Sequence, residues 1–150
     1  MTTTTDESSA EPRGIAGWLI FPVLGTFAAT GFAAWAMLQR FTLLRMHAGA
    51  AFDVKALVFF EMMFDFCLLA AWVVTLIHLS QYKHSYPLLF VALSVATLIG
   101  MVGGLMSEHG LFNVPFDKKE FAPLVRGFLG LAIWGPYMIG SRRVKNTFVN

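Results

Sequence analysis

Charged residues are scarce in this chain of 150 residues: they make up 13% of it, whereas hydrophobic residues make up 57%. Because about a quarter of the residues in an average soluble domain are charged, this composition excludes an ordinary soluble domain. It indicates an integral membrane protein surrounded by a lipid bilayer. The net charge of +2 is small and the basic residues are scattered, so nucleic acid is not expected as a partner.

Cysteine occurs once, as Cys67, which excludes an internal disulfide and leaves thiol exchange without a second cysteine. We interpret Cys67 as a small buried hydrophobic residue. Only one of the four histidines, His78, falls inside a hydrophobic run, which argues against haem held between helices and against a zinc site. No cofactor or metal is therefore expected. The spacing of Ser, His and Asp does not suggest a catalytic triad, and we do not expect an enzyme.

Four hydrophobic runs are each long enough, at about 20 residues, to cross the hydrocarbon core as a helix. They predict an all-α fold, a bundle of four transmembrane helices that forms a single membrane domain over residues 14–150. A polar segment precedes the bundle and is expected to be disordered, and a basic tail follows it. In order, the segments are the tail 1–13, the spans 15–38, 57–79, 87–106 and 123–140, and the basic tail 141–150.

The first run allows a second interpretation, as a secretory signal peptide. Arg13 precedes it, and Ala34-Trp35-Ala36 resembles a cleavage site. We favour an uncleaved anchor because the run is longer than the apolar core of a signal peptide, which is roughly 7 to 15 residues.

Four spans place both termini on the same side of the membrane. Lys and Arg divide almost evenly between the two sides, so the positive-inside rule gives no clear orientation. The basic cluster after the last span contains no acidic residue, which favours a cytoplasmic location for both termini.

Glu61 and Asp65 are set into the second run one helical turn apart, so they share one face of the predicted helix. Carboxylates are costly in lipid and should face protein or a wet cavity. Arg126 lies inside the fourth run, which begins on the same side, and we predict that it pairs with Glu61. The cluster is interpreted as a structural ion pair, with a site for proton or cation movement as the alternative.

Small residues recur every four positions along the third run, which allows close approach of another helix backbone. We expect this helix-packing stripe to serve contacts within the monomer, with a homo-oligomer interface as the alternative. Its members are Ala92, Ala96, Gly100 and Gly104.

Two segments resemble a known family. The opening motif, residues 14–22, reads Gly-Ile-Ala-Gly-Trp-Leu-Ile-Phe-Pro, and the closing motif, residues 132–148, contains Trp-Gly-Pro-Tyr followed by Arg-Arg-Val-Lys-Asn-Thr-Phe. Both are similar to domain of unknown function 2569, a bacterial membrane family that includes the YdgK-like inner-membrane proteins. The resemblance implies a multi-pass protein of the bacterial inner membrane with a cytoplasmic C-terminus. It implies no activity.

Aromatic and proline residues of these motifs, together with Tyr86 and Pro87, are expected on one side of the membrane beside the basic tail. They are either ordinary interfacial anchors or a docking surface for an anionic lipid headgroup or a membrane-protein partner.

Two function classes follow: a non-catalytic scaffold or accessory subunit, which we favour, and a small oligomeric carrier coupled to protons or cations through Glu61 and Asp65. The remaining candidate residues are Trp18, Pro22, Trp134, Pro136 and Tyr137 on the aromatic face, and Arg142, Arg143 and Lys145 as basic contacts.

Overall fold

A computed structural model describes residues 14–46, 49, 52–112 and 118–150. The predicted tail 1–13 lies outside the described residues. A single 3₁₀ turn at Gly17–Leu19 leads into the first of five α-helices. These are α1 (Ile20–Met46), α2 (Phe52–Ser80), α3 (Tyr86–Phe112), α4 (Lys118–Gly140) and the short α5 (Arg142–Thr147).

Four of the helices are long and apolar enough to cross a membrane. The shortest of these stretches has 22 residues, which at about 1.5 Å per residue exceeds a hydrocarbon core of about 30 Å. The chain is therefore a multi-pass membrane protein, and the prediction of an all-α bundle of four transmembrane helices is confirmed. The apolar stretches are Gly17–Arg45, Val54–Ser80, Tyr86–Ser107 and Lys119–Gly140.

The helices extend beyond the predicted spans on the side away from the termini. The predicted span 15–38 stops before Arg40, whereas α1 continues to Met46, and the predicted span 123–140 starts after the first turn of α4. Hydropathy drops at the first charged residue, but a helix keeps its backbone hydrogen bonds across that point. In α1 the charge of Arg40 is also compensated by acidic residues of α2.

Successive helices run antiparallel, and each of the four packs against the next one along the chain. Leu98 of α3 contacts the Cα face of Gly127 in α4, and the ring of Trp72 in α2 meets that of Phe90 in α3 edge to face. Most of the outer surface is apolar, as a lipid-facing surface must be. Cys67 belongs to that surface. The expectation that it is buried is wrong, because its position on α2 faces away from the neighbouring helices.

The most tightly packed part of the molecule lies at the membrane side that carries both chain ends. Here α5 folds back against the bundle and buries Val144, with Phe148 just beyond it. Tyr86, at the start of α3, and Leu19, just before α1, are also completely covered. The segment predicted as a basic tail is therefore part of the core at this end.

Candidate functional site

Three segments meet at the membrane side that carries the chain ends, and we call this region the terminal face: residues 14–19, 81–86 and 141–150. The hydroxyl of Thr147 accepts a hydrogen bond from the backbone N–H of Gly14 at 3.1 Å and donates one to the carbonyl of Arg143 at 2.8 Å. Arg143 Nη1 donates to the carbonyl of Ala16 at 3.1 Å. The closing motif is thereby fixed to the opening motif.

The end of the chain is also bonded to the turn between α2 and α3. The backbone N–H of His84 donates to the carbonyl of Asn150 at 2.8 Å, and the N–H of Asn150 donates to the carbonyl of Tyr82 at 3.2 Å. A further bond joins the Asn150 side-chain amide to the carbonyl of Gln81 at 3.2 Å. Three hydrogen bonds of Asn150 thus hold this turn in place.

Two glycines of the opening motif have a physical explanation here. Gly14 and Gly17 have φ angles of +88° and +60°, a left-handed conformation that side chains disfavour. At Gly17 an added Cβ would lie only 2.7 Å from Arg143 Nη1. Glycine at position 17 therefore permits both the turn before α1 and the approach of the arginine.

Pro22 and Tyr86 are completely buried and connect α1 to α3. Thr26 donates its hydroxyl hydrogen to the carbonyl of Pro22 at 2.9 Å, and Tyr86 lies 2.9 Å from the same hydroxyl oxygen. Since the threonine has one hydrogen to give, the tyrosine is the donor in the second bond. The Tyr86 ring also packs on Phe148, with centroids 4.6 Å apart. These motif residues hold the fold together and are not available to a partner.

Aromatic rings of the two motifs form a patch of Trp18, Phe21 and Trp134, in which Trp18 and Phe21 are exposed and Trp134 is half-buried. The Trp18 and Trp134 rings lie 6.2 Å apart, and Phe21 stacks on Trp134 at 5.6 Å. Tyr137 extends the patch, with its ring perpendicular to Trp134. The two ends of the sequence thus build one surface, on which the Trp18 side chain is 68% exposed.

The remaining candidates on this side differ in their surroundings. Arg142 and Lys145 are exposed, whereas Arg143 is partly buried. Its bond to Ala16 gives Arg143 a structural contact in addition to the predicted role toward lipid or a partner. Pro136 is exposed on α4 and Pro87 is half-buried at the start of α3.

A second polar region lies inside the membrane, where α1, α2 and α3 meet. Arg40 Nη1 lies 2.6 Å from Glu61 Oε2, and Arg40 Nε lies 3.7 Å from Asp65 Oδ2. The side chains of Arg40, Glu61 and Asp65 are 25%, 12% and 19% exposed. Asp65 is near the midpoint of α2. We call these three residues the intramembrane ion cluster.

The predicted pairing of Glu61 with Arg126 is wrong. Arg126 is exposed on α4 and forms no ion pair within the part of the chain that the structure describes. The cation is Arg40, which the sequence interpretation assigned to a loop. A signal for it was present: in an antiparallel helix pair joined by a short connection, residues equally far from that connection lie side by side. Arg40 lies six residues before the end of α1 and Glu61 nine residues after the start of α2, so the two are within about one helical turn of the same level.

Two glycines of the packing stripe face α2 within the same chain. The space above Gly104 is bounded by Glu61 Oε1 and Arg40 Nη2, which would lie 3.7 and 3.9 Å from an added Cβ. The ring of Phe64 occupies the corresponding space at Gly100. Ala96 is half-buried, whereas Ala92 is exposed. Gly100 and Gly104, the C-terminal half of the stripe, therefore serve helix packing inside the monomer.

Among the described residues, no three His, Cys, Asp or Glu side chains converge on one point. On the side away from the termini, His109 Nε2 lies 2.8 Å from Glu120 Oε2 and links the end of α3 to the start of α4. This pair braces two helices that are consecutive in the chain.

Comparison with known proteins identifies the family. A family model described as protein of unknown function (DUF2569) matches residues 12–149. The chain belongs to the DUF2569 family. The predicted family resemblance is thus confirmed. No curated protein and no solved structure matches the chain.

The match covers the aromatic patch, the intramembrane ion cluster and all of the terminal face except Asn150. The family brings no activity, so a function has to be argued from these three features.

Proposed function

We propose that this DUF2569 protein is a non-catalytic scaffold or accessory subunit that binds a transmembrane helix of a second membrane protein at its aromatic patch. The observation that carries the proposal is the patch itself: Trp18 and Phe21 are exposed, and both rings contact the half-buried ring of Trp134. Large aromatic side chains supply contact area at a low entropic cost and are enriched where proteins bind each other. The hydrogen bonds of the terminal face hold the 3₁₀ turn that carries Trp18 before any partner binds.

The neighbouring surface of α4 supports a helix as the partner. Pro136 has no N–H, so the carbonyl of Ala132 lacks its usual intrahelical donor. Both residues are exposed. A carbonyl without a donor is costly in lipid, and a polar side chain on a neighbouring helix would supply the missing hydrogen bond.

We place the protein in the bacterial inner membrane with both termini on the cytoplasmic side. The positive-inside rule counts Lys and Arg in the loops on each side of the membrane. Arg40 is not counted, because it lies within α1 beside Glu61 and Asp65. Removing it from the side away from the termini tips an even balance of Lys and Arg toward the terminal face. The terminal side then has five cations, Arg13, Lys83, Arg142, Arg143 and Lys145, against four on the other side, Arg45, Lys55, Lys118 and Lys119.

Site-specific photo-cross-linking in the native membrane tests the accessory role. A photoreactive amino acid at Ala132 is expected to give one discrete adduct with a second protein. The same probe at Phe60, an exposed position on α2 away from the patch, is the matched control and should give only diffuse lipid adducts. Trp18→Ala should abolish the protein adduct. Equal products from positions 132 and 60, or an adduct only with a second copy of this chain, would contradict the proposal.

A carrier coupled to protons or cations is the second candidate, and the intramembrane ion cluster favours it. Glu61 and Asp65 both lie beside Arg40 within membrane-spanning stretches, and carboxylates at such positions are typical of proton and cation pathways. In liposomes that carry a pH gradient, the parent protein should then dissipate the gradient, and Asp65→Asn should not. Glu120→Gln, an acidic residue at the membrane edge, is the control. Flux that is equal in the parent and in Asp65→Asn would exclude the carrier.

A further inference from the structure

An apolar groove of about 330 Å³ lies between α1 and α2 next to the terminal face. Val23 of α1 and Leu76 of α2 line its walls, while Ser80 and Tyr82 contribute its polar atoms. Val23 and Leu76 belong to membrane-spanning stretches, so the apolar part is at the depth of lipid acyl chains. Ser80 is the last residue of α2 and Tyr82 lies in the turn just after it, at the depth of headgroups. The groove thus changes from apolar to polar in the same direction as a lipid molecule.

Two cations belong to residues next to the lining of the polar end, although neither is itself a lining residue. Lys83 directly follows Tyr82, and Arg143 donates to the carbonyl of Ala16, the residue next to Ile15, which also lines the groove. The guanidinium has five N–H donors, and the bond to Ala16 uses one of them. No Asp or Glu occurs in residues 14–19, 81–86 or 141–150. The side chains that surround the polar end are therefore complementary to an anion.

We infer that the groove between α1 and α2 binds one acyl chain of an anionic phospholipid, with the lipid phosphate beside Lys83 and Arg143. Its volume falls within the range of small-molecule sites, about 300–1,000 Å³. A phospholipid is the occupant because the groove lies in the bilayer and combines an apolar wall with a polar end next to the terminal face, which has four Lys or Arg side chains and no Asp or Glu. This lipid site does not depend on the accessory role, which uses the aromatic patch and a protein partner.

Native mass spectrometry of the full-length protein, purified and delipidated in a non-ionic detergent, tests the site. The protein is titrated separately with phosphatidylglycerol and with phosphatidylcholine, and the affinity for the first bound lipid is compared. Phosphatidylglycerol should bind more tightly. Lys83→Gln should weaken that binding about fivefold, the effect of one cation at a membrane surface. Lys55→Gln makes the same charge change at the opposite end of α2 and should leave the first binding event unchanged.

A second variant tests the groove without altering charge. Val23→Phe fills the space between α1 and α2 and should weaken binding of phosphatidylglycerol while the thermal midpoint stays close to that of the parent. The inference is overturned if both lipids bind the parent equally, or if Lys83→Gln binds phosphatidylglycerol as tightly as the parent. If Val23→Phe binds phosphatidylglycerol as tightly as the parent, the acyl chain does not lie in the groove. Because no second protein is present, none of these outcomes bears on the accessory role.

Discussion

Replacing Arg40 by Gln should destabilise the bundle more than any other single charge change in the described residues. The variant leaves Glu61 and Asp65 inside the membrane without the guanidinium that lies 2.6 and 3.7 Å away. Removing one partner of a buried ion pair costs about 3–5 kcal/mol, because the remaining charge is still desolvated. We expect a lower thermal midpoint in a mild detergent, together with aggregation of a larger fraction of the protein.

The controls for this experiment separate the two candidate cations. Arg126→Gln should leave the thermal midpoint unchanged, because Arg126 is exposed on α4. Adding Glu61→Gln and Asp65→Asn to Arg40→Gln should recover much of the lost stability, since the triple variant no longer holds an uncompensated charge. An Arg40→Gln protein as stable as the parent, or an equal loss from Arg126→Gln, would contradict the assignment of Arg40 as the structural counter-ion.

Gly100→Ala is expected to have the second largest effect, through packing. An added Cβ at position 100 would overlap the ring of Phe64, which fills the space between α2 and α3. Overpacking of this kind typically costs about 1–3 kcal/mol, because the ring or the helix backbone must move. We expect a lower thermal midpoint and easier separation of α2 from α3, measurable as faster amide hydrogen exchange along both helices.

The same helix offers a matched control. An added Cβ at Gly103 would meet nothing within 4 Å, so Gly103→Ala should be neutral or stabilising, given that alanine is the better helix former by about 1 kcal/mol. Combining Gly100→Ala with Phe64→Leu should restore stability, because the smaller leucine side chain leaves room for the added Cβ. Equal effects of Gly100→Ala and Gly103→Ala would show that the contact with Phe64 does not limit the approach of α3.

Each of the two main errors of the sequence interpretation has an identifiable physical cause. Hydropathy alone predicts a loop at Arg40 because mean hydropathy falls at a charged residue, although opposite charges on the next helix allow such a residue to stay in the membrane. Arg126 was chosen as the counter-ion by depth alone. Depth does not specify how a helix is rotated about its axis, and rotation decides which side chains face a neighbour.

The sequence by itself determined the membrane class, the number of spans and the family. These properties follow from local composition and motifs, since a bilayer forces each apolar run of sufficient length to satisfy its backbone as a helix. The tertiary structure alone decided three further points: Arg40 as the partner of Glu61 and Asp65, α2 as the neighbour of Gly100 and Gly104, and α5 as part of the core. Each of these depends on helix register, rotation and contacts between residues far apart in the chain, and local hydrophobicity contains no information about them.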